Sequence, residues 1–438
     1  MKTREKRNLL RAVAAAAVLA LLLAGCSGKE TETSSVTDNP TVTLNVWHQW
    51  ASENDTLKKV YDESVSEYEK THPEIRIHTT TLDTDAYKTK ITSEFTGDAG
   101  DIDIFFYWGS GAAKKFISAD KLLPLNGYLP KDIAGSLVPG SLDSFTYNGK
   151  IYALPMYSWY LTLFCNKAVF KEAGAAIPEN YDELLDAVEK ITAAGKIPIA
   201  SGARDSWNAA LIYQALALRE VGAVNINQML SGAEAFGEDK GYKESAEKVM
   251  QLFRMGAFGK SPLDESNDDA NSKFQTGEAA MRLTGSWYIN TLYNSSTEDT
   301  TISLNDVTAV QIPMIAGKGD AEDYCGGFVD GFFANKNTAY KQECADFIAY
   351  ISEKFGNLSY EGQNGFSAWK TETDSADTNP LARQVRELMK KGKNGVLAWD
   401  TALPPAAAQA HNAGVQSLFT AGASADTFMK EQEEAINR

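Results

Sequence analysis

The chain has 438 residues, of which 43% are hydrophobic, and a formal net charge of −16. This length predicts two lobes or domains rather than one. Such an acidic chain repels phosphate backbones and anionic lipid headgroups, which argues against nucleic-acid binding and against direct binding to a membrane surface. The four histidines show no metal-ligand spacing and no C-x-x-C motif occurs, so neither a metal nor another cofactor is expected.

The N-terminal segment has the pattern of a secretion signal. Basic residues precede an apolar stretch at 12–23 that is too short to span a bilayer comfortably. The stretch ends in Leu23-Ala24-Gly25-Cys26, which resembles the lipobox of bacterial lipoproteins. The resemblance implies a signal peptide at 1–25, lipidation of Cys26, and a mature chain of net charge −20 anchored to the cell membrane on its extracytoplasmic face. The alternative is an ordinary cleaved signal peptide with an unmodified cysteine.

Residues 26–40 are polar and predict a flexible tether, after which strand and helix patterns alternate. Apolar residues at three- and four-residue spacing, Tyr61 and Tyr68 among them, predict a helix that ends before Pro73 and turns these rings into the core. Strands are expected at 41–46, around Ile75 and at 101–106, with a short helix at 87–95. This alternation is typical of a mostly parallel sheet with helices on its faces.

The alternation resumes beyond residue 150. Strands are expected at 151–166, 197–199, 279–283, 307–312 and 328–333. Helices are expected at 181–194, 208–220, 242–255, 339–353, 380–390 and 426–437. Apart from Cys26 the chain contains Cys165, Cys325 and Cys344, which we expect to be buried thiols. The alternative is a Cys325–Cys344 disulfide.

Several short motifs, in their order and spacing, resemble one known family. They are His72-Pro73-Glu74-Ile75, Asn166-Lys167-Ala168-Val169-Phe170, the run 274–281, Gly285-Ser286-Trp287 and Gly326-Gly327. Together they resemble the family-one extracellular solute-binding proteins, which include maltose- and raffinose-type sugar receptors. The resemblance covers most of the chain beyond residue 40.

The resemblance implies an α/β, two-lobed periplasmic-binding-protein-like fold, with discontinuous lobes, a hinge and a ligand cleft between the lobes. By analogy, the N-terminal lobe comprises 41–153 and 312–354, and the C-terminal lobe 154–311 and 355–438. The implied function is that of a monomeric substrate-binding lipoprotein, which captures a neutral oligosaccharide and delivers it to the permease subunits of an ABC importer. No catalysis is implied.

A sugar presents weakly apolar C–H faces and many hydroxyls, so its receptor needs aromatic rings and hydrogen-bonding side chains. Candidates of both kinds follow the predicted strands or lie near the lobe crossings: Trp47, His48, Trp50, Glu53, Tyr107, Trp108, Trp159, Tyr160, Arg204, Asp205, Trp207, Trp287, Gly327, Asp330 and Trp399. The competing interpretation for each ring is packing in a core. For His48 the competing interpretation is a cap on the following turn.

Two other functions remain open. A lipid-anchored glycoside hydrolase would need two carboxylates flanking the glycosidic bond, but no hydrolase signature or nucleophile elbow occurs. A receptor for another solute, such as a polyamine, a sugar phosphate or a metal complex, would keep the binding role with a different ligand. The aromatic content of the candidate cleft favours a neutral sugar.

Overall fold

A computed structural model describes residues 41–437 except 54, 98, 296–301, 362–364 and 371–378. The predicted signal peptide 1–25, the lipidation site Cys26 and the tether 26–40 lie outside the described residues. Within the described part of the chain, every helix is too short or too polar to cross a lipid bilayer.

Strands and helices alternate along the described chain. The strands are β1 (Val42–His48), β2 (Ile75–Thr81), β3 (Ile104–Trp108), β4 (Thr146–Tyr147), β5 (Lys150–Ile151), β6 (Ala153–Pro155), β7 (Tyr157–Asn166), β8 (Ile197–Ile199), β9 (Ala279–Gly285), β10 (Val307–Val310), β11 (Asp323–Phe328), β12 (Asp330–Ala334), β13 (Phe366–Ser367) and β14 (Asn394–Val396). The α-helices are α1 (Thr56–Thr71), α2 (Thr84–Thr96), α3 (Gly111–Ser118), α4 (Lys167–Ala173), α5 (Tyr181–Ala193), α6 (Ser206–Glu220), α7 (Ala223–Leu230), α8 (Gly241–Arg254), α9 (Asn267–Gln275), α10 (Tyr288–Ser295), α11 (Lys341–Glu361), α12 (Pro380–Lys391), α13 (Trp399–Ala402), α14 (Pro405–Ser417) and α15 (Ala425–Ile436).

Five strands form one sheet, which we call the N-terminal sheet, in the order β2-β1-β3-β12-β6. β1 runs parallel to β2 and β3, whereas β12 is antiparallel to β3 and β6. Helix α1 packs its apolar stripe inward, and Tyr61 and Tyr68 are buried as predicted. Its N-terminus is capped by Asp55, whose carboxylate accepts a hydrogen bond from the Leu57 amide.

The second large sheet, the C-terminal sheet, is built around β7, whose ten residues are all buried. Its path is β14-β11-β7-β9-β8, and β10 and β13 also pair with β7. β7 is antiparallel to β9, β10, β11 and β13, while β8 and β14 run parallel to their neighbours. Because side chains on both faces of β7 are buried, its sequence is mostly apolar rather than alternating between apolar and polar residues.

The chain passes between the two sheets between β6 and β7, between β11 and β12, and again between β12 and β13, and the first two of these passages are adjacent. Only Met156 separates β6 from β7, and only Val329 separates β11 from β12. The Met156 amide donates to the Asp330 carbonyl oxygen at 3.2 Å, so the two connections lie side by side. Helix α11 packs against them: a Cβ on Gly356 would stand 2.3 Å from the Met156 carbonyl oxygen.

Several elements differ from their predictions. The extended run 328–333 belongs to two strands in different sheets, and β11 pairs with β7 and β14 although 312–354 was assigned to the N-terminal lobe. Helix α11 extends to Glu361, eight residues beyond the predicted end, and the helices that were not predicted include α3, α7, α9, α13 and α14. Cys165, Cys325 and Cys344 are free and buried, as expected, so the alternative disulfide is not formed.

Candidate functional site

A cavity of about 630 Å³ lies where the two sheets face each other. One wall comes from the segment after β1, from α2 and from the ends of β3 and β12. The opposite wall comes from β7, α6, α9, the start of α10 and α13. The cavity is therefore built from strand ends and helix starts of both sheets, which is where ligands bind in open α/β folds.

Three tryptophans form a continuous aromatic surface on the wall of the C-terminal sheet. The ring centroid of Trp287 lies 5.2 Å from that of Trp159 and 6.1 Å from that of Trp207. All three line the cavity, and Trp207 and Trp287 are only half-buried. Gly285 makes room for this surface, because a Cβ there would stand 2.0 Å from a ring carbon of Trp287.

The opposite wall carries further rings. Trp50 and Trp108 line the cavity there, and Tyr157, at the start of β7, lines it near the crossing. Trp50 is held from behind, since its ring stacks on Phe355 of α11 at 4.9 Å and meets Phe106 at 4.8 Å. The Trp50 ring is therefore held in a fixed position where it lines the cavity.

A charged cluster stands beside Trp108. Lys88 Nζ lies 2.5 Å from Asp400 Oδ2 and 4.5 Å from the centre of the Trp108 ring. Asp330 is buried next to them, and burial, with a smaller contribution from Asp400, raises the pKa of its carboxyl to about 7. A hydrogen bond with Trp108 and the charge of Lys88 act in the opposite direction. The Lys88–Asp400 pair joins α2 to α13 and so links the two walls.

Two more carboxylates approach each other across the cavity. Burial raises the pKa of Asp55 to about 6; hydrogen bonds from the backbone of Leu57 and Lys58 lower it, and the charge of Asp268 raises it further. Asp268, in the first turn of α9, accepts a hydrogen bond from Ser52 Oγ at 3.2 Å. This contact is a second link between the walls.

A third link completes a helix end. Asp205 precedes α6 but makes no side-chain cap there, because its carboxylate accepts from the Asn267 amide of α9 at 2.7 Å. Asp85 of α2 caps α6 instead. Its Oδ2 accepts hydrogen bonds from the amide and the hydroxyl of Ser206 at 3.1 and 3.0 Å. A carboxylate of one wall thus caps a helix of the other.

The structure brings six of the fifteen predicted ligand residues together at the cavity: Trp50, Trp108, Trp159, Trp207, Trp287 and Asp330. Strand geometry explains two of the residues that stay away from it. Successive side chains of a strand point to opposite faces, so of Tyr107–Trp108 and Trp159–Tyr160 only one of each pair can line the cavity. Tyr107 packs between Phe105 and Phe116, and Tyr160 stacks on Tyr324.

His48 and Trp47 lie behind the cavity wall. The His48 ring is buried against Tyr61, and its Nδ1 accepts from the Trp50 amide at 3.2 Å, so it caps the following turn, as the competing interpretation held. Burial lowers the pKa of His48 to about 3, with a smaller effect from Lys58. Trp47 packs against the core at the first sheet.

The remaining predicted residues have structural surroundings of their own. Glu53 is exposed and pairs with Lys58, and Arg204 is also exposed. Asp205 accepts a hydrogen bond from the Asn267 amide at the start of α9. Gly327 pairs with Trp159 in the sheet, outside the cavity lining. Trp399 is 1% exposed and packs against the rings of Tyr213 and Tyr242, so it is a core residue.

Several cavity residues could not be recognised from the sequence. Lys88, Asp400, Asn267 and Asn271 all line the cavity. They lie on helices or at helix starts, where a charged or amide side chain is usually solvated, and Lys88 and Asp400 are 312 positions apart. In the described part of the chain, no group of three or more His, Cys, Asp or Glu side chains is placed to hold a metal ion.

Comparisons with known proteins agree with this architecture. The chain is 24% identical over 371 residues to an uncharacterized ABC transporter extracellular-binding protein of Pyrococcus horikoshii, covering 81% of this chain and 80% of that protein. It is 27% identical over 291 residues to the multiple sugar-binding protein of Streptococcus mutans, covering 66% of each.

A similar solved structure comes from work on xylan utilization by the thermophilic bacterium Caldanaerobius polysaccharolyticus. It has a TM-score of 0.84 and 30% identity, and the match covers 90% of this chain and all of that one. The predicted two-lobed α/β fold is thereby confirmed. The model of the bacterial extracellular solute-binding proteins matches residues 50–354. The chain belongs to the bacterial extracellular solute-binding protein family.

Proposed function

We propose that this protein is the sugar-binding component of an ABC importer, and that it captures a neutral oligosaccharide in the cavity between the sheets. The observation that carries the proposal is the aromatic surface of Trp159, Trp287 and Trp207, facing a wall that carries hydrogen-bonding groups. Indole rings stack on the C–H faces of sugars, while carboxylates, amides and ammonium groups bind hydroxyls. Three adjoining rings offer more stacking surface than one sugar ring covers, which favours an oligosaccharide.

The volume and the relatives support the same assignment. A cavity of about 630 Å³ falls in the range of small-molecule sites. The streptococcal relative is a multiple sugar-binding protein, and the structural relative was solved in work on xylan utilization. In the proposed cycle the sugar bridges the two walls, the closed form gains the contacts of both, and the permease reads that form.

The surrounding assignments belong to the same proposal. The protein is held on the extracytoplasmic face by a lipid on Cys26 and acts as a monomer. The sheet membership of the strands supports lobe limits at Met156, at Val329 and at the C-terminal end of α11. The lobe limit expected near residue 312 therefore moves to Val329.

A thermal-shift panel tests the proposal on the soluble chain that begins at residue 41. The oligosaccharide panel is xylotriose, cellotriose, chitotriose and maltotriose, with mannitol, spermidine and glucose 6-phosphate as other solutes. A ligand at 100 times its dissociation constant stabilises the protein by about 2.7 kcal/mol, which raises the melting temperature measurably. We expect this from at least one oligosaccharide. Stabilisation by spermidine or glucose 6-phosphate alone would reassign the cargo.

We also propose that the bound sugar is not cleaved. The cavity does contain carboxylates, but Asp400 is neutralised by Lys88. To test for hydrolysis, the oligosaccharide that binds most tightly is incubated with the protein, and the sugar is then analysed by chromatography. An unchanged sugar is expected, and shorter products that require the protein would replace the binding role with hydrolysis.

A further inference from the structure

Arg282 is a buried cation without a carboxylate partner among the described residues. It lies in the middle of β9, and its side chain is fully buried. Burial lowers the pKa of the guanidinium to about 10, so it stays charged at neutral pH. Its hydrogen bonds to the described residues go to neutral oxygens, three of them on backbone carbonyls at 3.3–3.4 Å. Burying an unpaired charge is costly, so such a residue calls for a functional reason.

The other acceptors of Arg282 are three asparagine side chains. Nη2 donates to Asn267 Oδ1 at 2.8 Å and to Asn208 Oδ1 at 3.0 Å, and Nε donates to Asn271 Oδ1 at 3.2 Å. A guanidinium has only donors, so each amide must present its oxygen to it. The amide nitrogens consequently lie on the far side of each side chain.

Two of these asparagines, Asn267 and Asn271, line the cavity, whereas Asn208 does not. Their backbones are also fixed, because the Asn267 amide donates to Asp205 and the Tyr288 hydroxyl donates to the Asn271 carbonyl oxygen at 3.2 Å. With each oxygen bound to Arg282, the amide group left for the cavity is the N–H₂ donor, although one N–H of Asn267 also donates to Asp268 Oδ1 at 3.4 Å. This donor pair shares a wall with Trp207 and Trp287.

We propose that Arg282 is a positioning residue of the binding site, which fixes Asn267 and Asn271 so that their amide N–H groups donate to the bound sugar. The inference rests on the proposed function and deepens it. The ligand must place acceptor oxygens, either hydroxyl or ring oxygens, against this wall while its apolar face covers the tryptophans. A ligand group that can only donate, such as an ammonium, is rejected there.

The test exchanges one amide for its isosteric acid. Asn271→Asp keeps an oxygen for Arg282 and adds an ion pair with it, but removes the N–H that faces the cavity. Affinity for each sugar of the panel is measured by calorimetry, with Asn337→Asp, at an exposed position outside the cavity lining, as the matched control. We expect the unliganded melting temperature of N271D to equal or exceed that of the wild type and its sugar affinity to fall roughly tenfold. Affinity within twofold of the wild type would overturn the inference.

Arg282 itself is tested by Arg282→Gln. We expect weaker sugar binding, and a smaller effect of N271D in that background than in the wild type, because R282Q already leaves the Asn271 donor unfixed before N271D removes it. Full additivity would contradict action through Asn271. Should R282Q fail to fold, a crystal structure of the wild type with its sugar decides, since a sugar oxygen must lie within hydrogen-bonding distance of Asn271 Nδ2. A wild type that binds none of the panel sugars would remove the proposed function and this inference together, whereas normal binding by N271D removes only the inference.

Discussion

Asp330→Asn is expected to make the unliganded protein more stable at pH 8 and to leave it almost unchanged at pH 4. Asp330 is 5% exposed, next to Asp400, and its pKa rises from 3.8 to about 7. In the unfolded chain the carboxyl returns to its ordinary pKa. The folded protein therefore binds more protons than the unfolded one between these two values, and stability falls as the pH rises through that window. Above about pH 8 the contribution of Asp330 to the free energy of unfolding no longer changes with pH.

The magnitude follows from the same two pKa values. At 1.36 kcal/mol per pH unit, the rise from 3.8 to about 7 corresponds to about 4 kcal/mol in total, of which roughly 3 kcal/mol is lost between pH 5 and pH 8. An asparagine has nearly the same shape, its oxygen can still accept from Trp108, and it cannot ionise. The free energy of unfolding of the variant should therefore not fall in this way as the pH rises. Its advantage over the wild type is reduced by the attraction between Lys88 and the Asp330 carboxylate, which the variant lacks.

Urea unfolding at pH 4, 5, 6, 7 and 8 measures the free energy of unfolding of both proteins. The difference between variant and wild type cancels the contributions of Asp55 and of His48, which both proteins share. Asp132→Asn, at an exposed position, is the control and should show no such dependence. A difference that stays constant over this range, or that grows in favour of the wild type as the pH rises, would refute the reasoning about Asp330.

Three further predictions concern the cavity walls. Trp207→Ala should weaken sugar binding at least tenfold in calorimetry with little change in melting temperature, whereas Trp399→Ala should cost roughly 3–5 kcal/mol of stability in urea unfolding, because its ring is core. Loss of stability in W207A and loss of sugar affinity in W399A would instead make Trp207 the core residue and Trp399 the binding residue. Gly285→Ala should displace the Trp287 ring and lower affinity, and unchanged calorimetry would contradict the contact. Asp85→Ala should speed sugar dissociation a few-fold in stopped-flow fluorescence by uncapping α6, and an unchanged rate would contradict the interlobe cap.

The local elements could be predicted from the sequence because each has a clear period. The two-residue alternation of β1 and the three- and four-residue spacing in α1 indicate strand and helix directly. The change of sheet at Val329 has no such signal, since the backbone stays extended from β11 into β12 and only the hydrogen-bond partners change. Helix α9 was missed because its sequence is short and polar and buries only Ala270 and Phe274.

The site was predicted less completely than the fold. When a tryptophan and a tyrosine are adjacent in a strand, only one of the two rings can face the cavity. Deciding which ring does so requires the register of the whole sheet. Pairing Lys88 with Asp400, or Arg282 with its asparagines, requires knowing which distant segments meet. Trp50, Trp207 and Trp287 lie at loops or helix starts after strands, and there the sequence did locate the cavity.

The paired connections at Met156 and Val329 limit how the protein can move. Two short, adjacent, hydrogen-bonded segments bend together about a common line but resist sliding and twisting of one sheet against the other. Each closure therefore returns the opposing surfaces to one alignment. The side chains that meet across the cavity are therefore brought into register once, when the chain folds, and they meet in the same register each time the cavity closes on a ligand.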